Sequence, residues 1–250
     1  MSASATGPAA PTPRVALVTG GGRGLGRAIV HALVADGWTV ALTWSSDESA
    51  ASAVARETGA RPYLLDLRDR ARPAGLVAEV ERDLGTIAGL VNNAATRREA
   101  ILAMTSDAVW DEVLETNLGG AFRCCRAVLP AMVYRRRGAI VNVSSRSAVA
   151  GLPGQSAYAA SKAGLLGLTH SLAREVGRKG VRVNAIVPGF VSTELTAELP
   201  PELVAKLRSS ECLPAGTAPR DVAAMVAFLL SDRAAAVTGQ VLAVDAGASA

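Results

Sequence analysis

Tyr158 and Lys162, in the stretch "SAYAASKAG" at 156–164, set one of three tyrosines four positions ahead of one of three lysines. Residues four apart on a helix share a face, so a phenol and an ammonium are expected to be neighbours. A nearby positive charge favours the phenolate and lowers the phenol's pKa, which would make Tyr158 a proton donor near neutral pH. The plainer reading is a solvated pair with the ring packed on a core. A second stretch with chemistry in it is "TGGGRGLG" at 19–26, where Gly20, Gly21, Gly22, Gly24 and Gly26 surround Arg23 and Leu25. It does not match the general G-x-G-x-x-G pattern. Small residues between a strand and a helix nevertheless let the backbone approach a pyrophosphate, whose charge then meets the helix N-terminus. The two histidines, His31 and His170, have no carboxylate or cysteine at ligand spacing, so no metal site is expected.

These groups need a frame. "RVALVTG" reads as a short buried strand, and "GRAIVHALVADG" as an amphipathic helix closed by Gly37. Further strands are predicted near Val40–Thr43, Pro62–Leu65, Gly89–Val91, Ala139–Val143, Val181–Val187 and Val241–Val244. Helices are predicted near 47–58, 69–84, 107–133, 156–178, 201–208 and 219–231. This alternation argues an α/β architecture: a doubly wound parallel sheet with helices on both faces. A chain of 250 residues, 50% hydrophobic and 19% charged, suits such a sheet. No linker divides it, so one domain over 14–250 is expected, after a flexible leader over 1–13. The irregular segment 188–218 follows a strand and reads as a lid beyond the sheet's carboxyl edge.

The net charge of +4, with 23 arginines, is modest and scattered, which fits an anionic cofactor or an acidic partner as well as nucleic acid. Cys124, Cys125 and Cys212 have neither metal nor disulfide spacing and read as small core residues in a reducing compartment. The leader lacks a basic region and an apolar core, and the longest apolar run, at 222–230, is too short to cross a bilayer. A cytoplasmic protein is expected.

Thr19-Gly20-x-x-x-Gly24-x-Gly26, "NNAA" at 92–95, Asn117 in "ETNLGG", Ser145 in "VNVSSRS", Tyr158-x-x-x-Lys162 and "PGFVST" at 188–193 occur in a telling order. In order and approximate spacing they resemble the short-chain dehydrogenase/reductase family, and most of all its 3-oxoacyl-acyl-carrier-protein reductases, over about Arg14 to Gly247. The resemblance implies a Rossmann-like domain and a reductase whose acid is Tyr158. By the same resemblance Lys162 lowers the phenol's pKa and holds the nicotinamide ribose, Ser145 rather than Ser144 bonds the substrate oxygen, and Asn117 holds a water leading to the lysine. Asparagine is a poor choice for the middle of a helix, which accords with such a role.

Cofactor contacts are implied at Gly20, Gly22, Gly24, Leu25 and Gly26, at Asn93, Ala94 and Ala95, at Asp66 and Leu67, and at Pro188, Gly189, Val191 and Thr193. Ala95 stands where the family usually has glycine. NAD-binding members place an acid at the end of the second strand. Here Trp44 holds that place, with Ser45, Ser46 and Arg23 suited to a 2′-phosphate, so NADPH is favoured and NADH, through Asp47, is the alternative. Asp66 has a second reading as a helix N-cap. Arg136 in "YRRRG" and Lys179 in "GRKG" are either solvated helix-end cations or, by resemblance, a docking site for an acidic acyl carrier protein. Relatives pair the helices at 107–133 and 156–178, so a homotetramer is expected. Three functions stay open: reduction of a carrier-bound 3-oxoacyl thioester in fatty-acid or polyketide-type biosynthesis, reduction of a free ketone, sugar or steroid, and cofactor sensing without catalysis.

Overall fold

Alternate residues of each strand face opposite sides, and this sequence places an apolar group on both. The computed structural model describes residues 14–192 and 201–250; the expected leader over 1–13 and Thr193 lie outside the described residues. The strands are β1 (Val15–Val18), β2 (Thr39–Trp44), β3 (Arg61–Leu64), β4 (Ile87–Asn92), β5 (Gly138–Val143), β6 (Val181–Pro188) and β7 (Val241–Val244). They form one parallel sheet in the order β3-β2-β1-β4-β5-β6-β7. The order reverses between β1 and β4, which opens the crevice where such sheets bind ligands.

The helices are α1 (Gly24–Ala35), α2 (Glu48–Thr58), α3 (Arg72–Leu84), α4 (Asp107–Leu114), α5 (Gly120–Tyr134), α6 (Ser147–Ala150), α7 (Ser156–Val176), α8 (Pro201–Arg208) and α9 (Pro219–Leu230). Ala16 and Val18 of β1 face a core with Ile29 and Leu33 of α1, Val54 of α2 and Val226 of α9. Val15 and Leu17 face the other core, built from Leu76 of α3, Val128 and Met132 of α5, and Leu172 of α7. The expected architecture is the observed one. No helix among the described residues is long and apolar enough to cross a membrane.

Two departures from the sequence reading matter. The helix expected over 107–133 is interrupted by a π-helical turn at Glu115–Gly119, where the N–H of Gly120 reaches back five residues to the Glu115 carbonyl. Asn117 and the glycine pair Gly119–Gly120 sit at this break; a Cβ on Gly120 would come 2.7 Å from the Leu67 side chain. Cys124 and Cys125 are buried as expected, but Cys212 is exposed, with Sγ 3.4 Å from the Gly247 carbonyl. Within the segment read as a lid, α8 forms where a helix was expected over 201–208, and beyond it the N–H groups of Cys212 and Leu213 both bond the Ala246 carbonyl.

Candidate active site

The glycine turn leaves β1 at the point where the sheet reverses. Thr19 Oγ1 accepts the N–H groups of Asn93 and Ala94, each at 3.0 Å, and Asn93 Nδ2 donates to the carbonyls of Thr19 and Gly20 at 3.0 and 3.1 Å. The ends of β1 and β4 are thereby locked together. Gly20 has φ +67°, and a Cβ there would meet Ala94 Cα at 3.0 Å. A Cβ on Gly26 would run into the Gly20 carbonyl oxygen. Gly26→Ala must therefore push α1 away from the turn; we expect dinucleotide affinity to fall at least about tenfold, with a loss of roughly 1–3 kcal/mol in stability, read by NADPH titration and thermal melting.

The start of α1 is open to an anion. Arg23 holds the N-cap position in extended backbone with no side-chain cap, and no acid lies in the first turn. By contrast Asp47 caps α2 through the Ala50 N–H and Ser106 caps α4 through that of Val109. Uncapped N–H groups behind a turn that admits no side chain fit a pyrophosphate. Leu25 packs on the core beside them.

At the end of β2, Trp44 packs half-buried on the core, its carbonyl taken by the Leu65 N–H at 2.8 Å. Ser45, Ser46 and Arg23 are exposed, whereas one Asp47 oxygen is committed to its helix cap at 2.9 Å. Asp66 is not an N-cap. Asp69 does that work for α3, accepting the N–H groups of Ala71 and Arg72, while Arg68 grips Asp66 with its guanidinium at 3.0 and 2.7 Å. That grip holds the Asp66 carboxyl below its ordinary value. Leu67 has a buried side chain and a carbonyl taken by Arg123 Nη2 at 2.6 Å, which leaves its N–H to offer a ligand.

At the carboxyl end of β5 two adjacent serines part company. Ser144 Oγ donates to the Lys162 carbonyl at 2.9 Å, fastening β5 to α7. Ser145 instead forms a hydrogen bond with Tyr158 and accepts the Ser147 N–H at 3.2 Å. Tyr158 is buried against Ala157, Val113, Trp110 and Leu114, and the Ala95 methyl joins this cluster. The extra methyl at the family's glycine position thus packs against the tyrosine's own neighbours.

Lys162 Nζ lies 5.7 Å from the centre of the Tyr158 ring and donates to the Val143 carbonyl at 2.8 Å. Burial lowers its pKa to about 8. For Tyr158 the sequence expectation is reversed: burial pushes the phenol above its ordinary value, with the Ser145 hydrogen bond and the Arg97 charge pulling it part of the way back. The ammonium faces the ring and a carbonyl, and is half-discharged near pH 8, so its effect on the phenol is weaker than spacing alone implies. The neutral phenol is therefore the form present near neutral pH.

Asn117 in the π turn is a clamp. Its Oδ1 accepts the Thr96 N–H at 2.8 Å, and its Nδ2 donates to the Thr96 carbonyl at 2.9 Å and to Ser161 Oγ at 3.0 Å. Ser161 Oγ in turn donates to the Tyr158 carbonyl at 2.7 Å. The side chain is taken up, so any water held here would fall to the backbone of the π turn. Glu115, at the start of that turn, is braced by Arg70 and Arg123, each at 2.9 Å.

Pro188 closes β6 on the same edge of the sheet, its carbonyl accepting the Arg146 N–H at 3.3 Å; the Gly189 N–H bonds the Val244 carbonyl at 2.9 Å, and Val191 is buried. Arg136 and Lys179 lie at the opposite edge. Both are exposed, before β5 and β6, with Arg136 Nη2 on the Arg178 carbonyl at 3.0 Å. The whole of β5 separates Arg136 from Ser145, on the order of 20 Å at about 3.3 Å per residue. An open groove of ≈ 470 Å³ between α1 and α9, lined by Arg27, His31 and Arg220, touches the glycine turn only at Gly24. Sequence reasoning missed Arg97, Glu99, Ser147 and Gln155, whose side chains converge behind Ser145; no periodicity or motif in the sequence marks them.

An open glycine turn at the sheet's reversal, with a serine, a tyrosine and a lysine meeting beside it, is the arrangement of a dinucleotide-dependent oxidoreductase. A family model described as enoyl-(acyl carrier protein) reductase matches residues 20–249, and the chain belongs to the short-chain dehydrogenase/reductase family. It is similar to proteins named 3-oxoacyl-[acyl-carrier-protein] reductase FabG. The one from Staphylococcus aureus (strain Mu50 / ATCC 700699) is 38% identical over 237 residues, covering 93% of this chain and 96% of the relative. Those from Thermotoga maritima and Escherichia coli (strain K12) are each 39% identical, covering 94% of this chain and 97% and 96% of the relatives.

Proposed function

We propose that this protein reduces a 3-oxoacyl thioester, carried on acyl carrier protein, to the 3-hydroxyacyl thioester with NADPH. The observation that carries this reading is the meeting of Ser145, Tyr158 and Lys162 at the carboxyl edge of β5. Bound along the glycine turn, a reduced nicotinamide supplies hydride to the ketone carbon. Ser145 and Tyr158 would hold the ketone oxygen, and Tyr158 Oη would pass its proton there as negative charge develops. Lys162 would bind ribose hydroxyls and bear positive charge beside the phenol. Gly20 to Gly26, Asn93 to Ala95, the Leu67 N–H, and the backbone at Pro188, Gly189 and Val191 would line the cofactor. Exposed Arg23, Ser45 and Ser46 favour a 2′-phosphate over a bare ribose, and Arg68 makes Asp66 a rigid acceptor for an adenine amino group.

Arg136 and Lys179 are proposed to seat the acidic carrier. Their distance from Ser145 means that a carrier bound there serves a site on another subunit, which accords with a homotetramer; exposed Phe122 and Tyr134 on α5 are apolar surface for such contacts. The same distance favours a second reading for an isolated subunit, reduction of a free small ketone. The test is NADPH and NADH oxidation with acetoacetyl-carrier protein, acetoacetyl-CoA and a panel of free ketones. We expect NADPH with the carrier thioester to lead, and Arg136→Glu to raise the carrier-protein KM by about tenfold at low salt while leaving the CoA thioester unaffected. Equal KM values would remove docking from the account.

A further inference from the structure

A chain of polar contacts runs from the loop after β4 to the site. Arg97 Nε pairs with Glu99 Oε1 at 3.2 Å, and the Arg97 side chain is only 16% exposed. Gln155 Nε2 donates to the same Glu99 oxygen at 2.9 Å, and Gln155 Oε1 accepts from Ser147 Oγ at 2.8 Å. The Ser147 N–H then bonds Ser145 Oγ, which bonds Tyr158. Gln155 and Ser147 are buried, so the contact between them is shielded from water, while the Glu99 end of the chain meets solvent.

We propose that Arg97 is a second cation serving Tyr158: fixed by Glu99, it offsets the negative charge left on the phenol oxygen as the proton departs, while Glu99, Gln155 and Ser147 keep Ser145 aimed at that oxygen. This rests on the reading of Tyr158 as the proton donor. In that step the phenol O–H breaks, an O–H forms on the former ketone oxygen, and the phenolate regains its proton from solvent. Arg97 and Gln155 are positioning residues that act through Tyr158 and Ser145. Among the described residues, the charged groups facing Tyr158 are Lys162 from α7 and, from the loop after β4, Arg97 with its partner Glu99; the α4 side chains against it, Trp110, Val113 and Leu114, carry no charge. Arg97 favours the phenolate, and Glu99, paired with it at 3.2 Å, offsets part of that charge.

The test uses Arg97→Gln, Arg97→Lys and Glu99→Gln in the full-length protein. Two profiles are read: the near-ultraviolet phenolate titration, wild type minus Tyr158→Phe, and the pH dependence of kcat/KM for acetoacetyl-CoA reduction with NADPH. Arg97→Gln is expected to move the phenolate midpoint and the alkaline limb up by about half to one pH unit, and Arg97→Lys to restore them. Glu99→Gln, which can still accept from Gln155, is expected to move both down. Opposite shifts from two neighbouring neutralisations do not follow from loosened packing. A phenolate midpoint that stays with the wild type in either variant overturns the proposal, and should Arg97→Gln fail to fold, Glu99→Gln decides alone. The titration needs no substrate: if Tyr158→Phe kept its reductase rate, the donor reading would fall while the coupling to Arg97 was still judged.

Discussion

Tyr158→Phe lowers kcat for ketone reduction by about 10²–10⁴-fold while leaving NADPH affinity within a few-fold and the fold intact. The variant removes one hydroxyl, its proton and its bond with Ser145, and leaves the ring in its cluster with Ala95, Val113 and Ala157. The pH dependence carries the same logic with a definite sign. If Tyr158 is the donor, reduction needs the protonated phenol, and burial raises the Tyr158 pKa. Its rate should therefore stay level through neutral pH and fall only at the alkaline end. Oxidation of the 3-hydroxyacyl product needs the phenolate and should climb with pH over the same range. Lys162 is the rival donor, since its pKa of about 8 is closer to neutrality. A lysine acid would put the break in reductive rate near pH 8 and would leave Tyr158→Phe substantially active. Stopped-flow NADPH oxidation across pH, with the Kd from nicotinamide fluorescence, separates the two.

The sheet was legible because each strand is a short β-branched run bounded by glycine, proline or polar residues, and each helix carries an apolar stripe; β2, β5 and β6 fall within a residue or two of where those signals put them. The π turn was not legible. Apolar spacing continues through 107–133, its one proline, Pro130, lies well beyond the break, and only Asn117 followed closely by two glycines hinted at one. Ser144 and Ser145 are indistinguishable by composition; the alternation of the strand sends one hydroxyl to the α7 backbone and the other to Tyr158. The Tyr158–Lys162 spacing established neighbours but not direction, because a four-carbon side chain can reach past the phenol to the Val143 carbonyl. Asp66 stands five positions before Ala71 at the start of α3, too early to cap it, and Asp69 accepts the N–H groups there instead. Arg97 lies 61 positions before Tyr158 on a loop, where no repeat or period points to its target.

Lys162→Met should abolish most reductase activity and, at neutral pH, make the protein more stable. Lys162 is buried, no carboxylate among the described residues pairs with it, and its hydrogen-bond partner is the Val143 carbonyl. Its folded pKa of about 8 lies below the ordinary lysine value of 10.5. Between those values the unfolded chain binds more protons than the folded one, so the lysine's contribution to stability rises with pH across that window. Below it the full penalty is in force, on the order of 3 kcal/mol at 1.36 kcal/mol per pKa unit. Methionine has similar length and no charge, but it strands the Val143 carbonyl, which returns roughly 1–2 kcal/mol of that gain. A net stabilisation of about 1–2 kcal/mol at pH 7, a rise of a few degrees in Tm, is the expected result. By pH 10 the lysine is neutral in the folded protein and about a quarter neutral in the unfolded one, which leaves a penalty under about 1 kcal/mol, no more than the stranded carbonyl costs, so the advantage should vanish. Calorimetric melts of both proteins at pH 7 and pH 10 measure it. A methionine variant that was equally destabilised at both values would mean that the ammonium is well solvated by its surroundings and carries no stored penalty. One that was stabilised at pH 7 and also fully active would show that the chemistry does not need the charge. Loss of turnover together with gain of stability is what a cation kept in a dry site for its work on an adjacent phenol and a ribose requires.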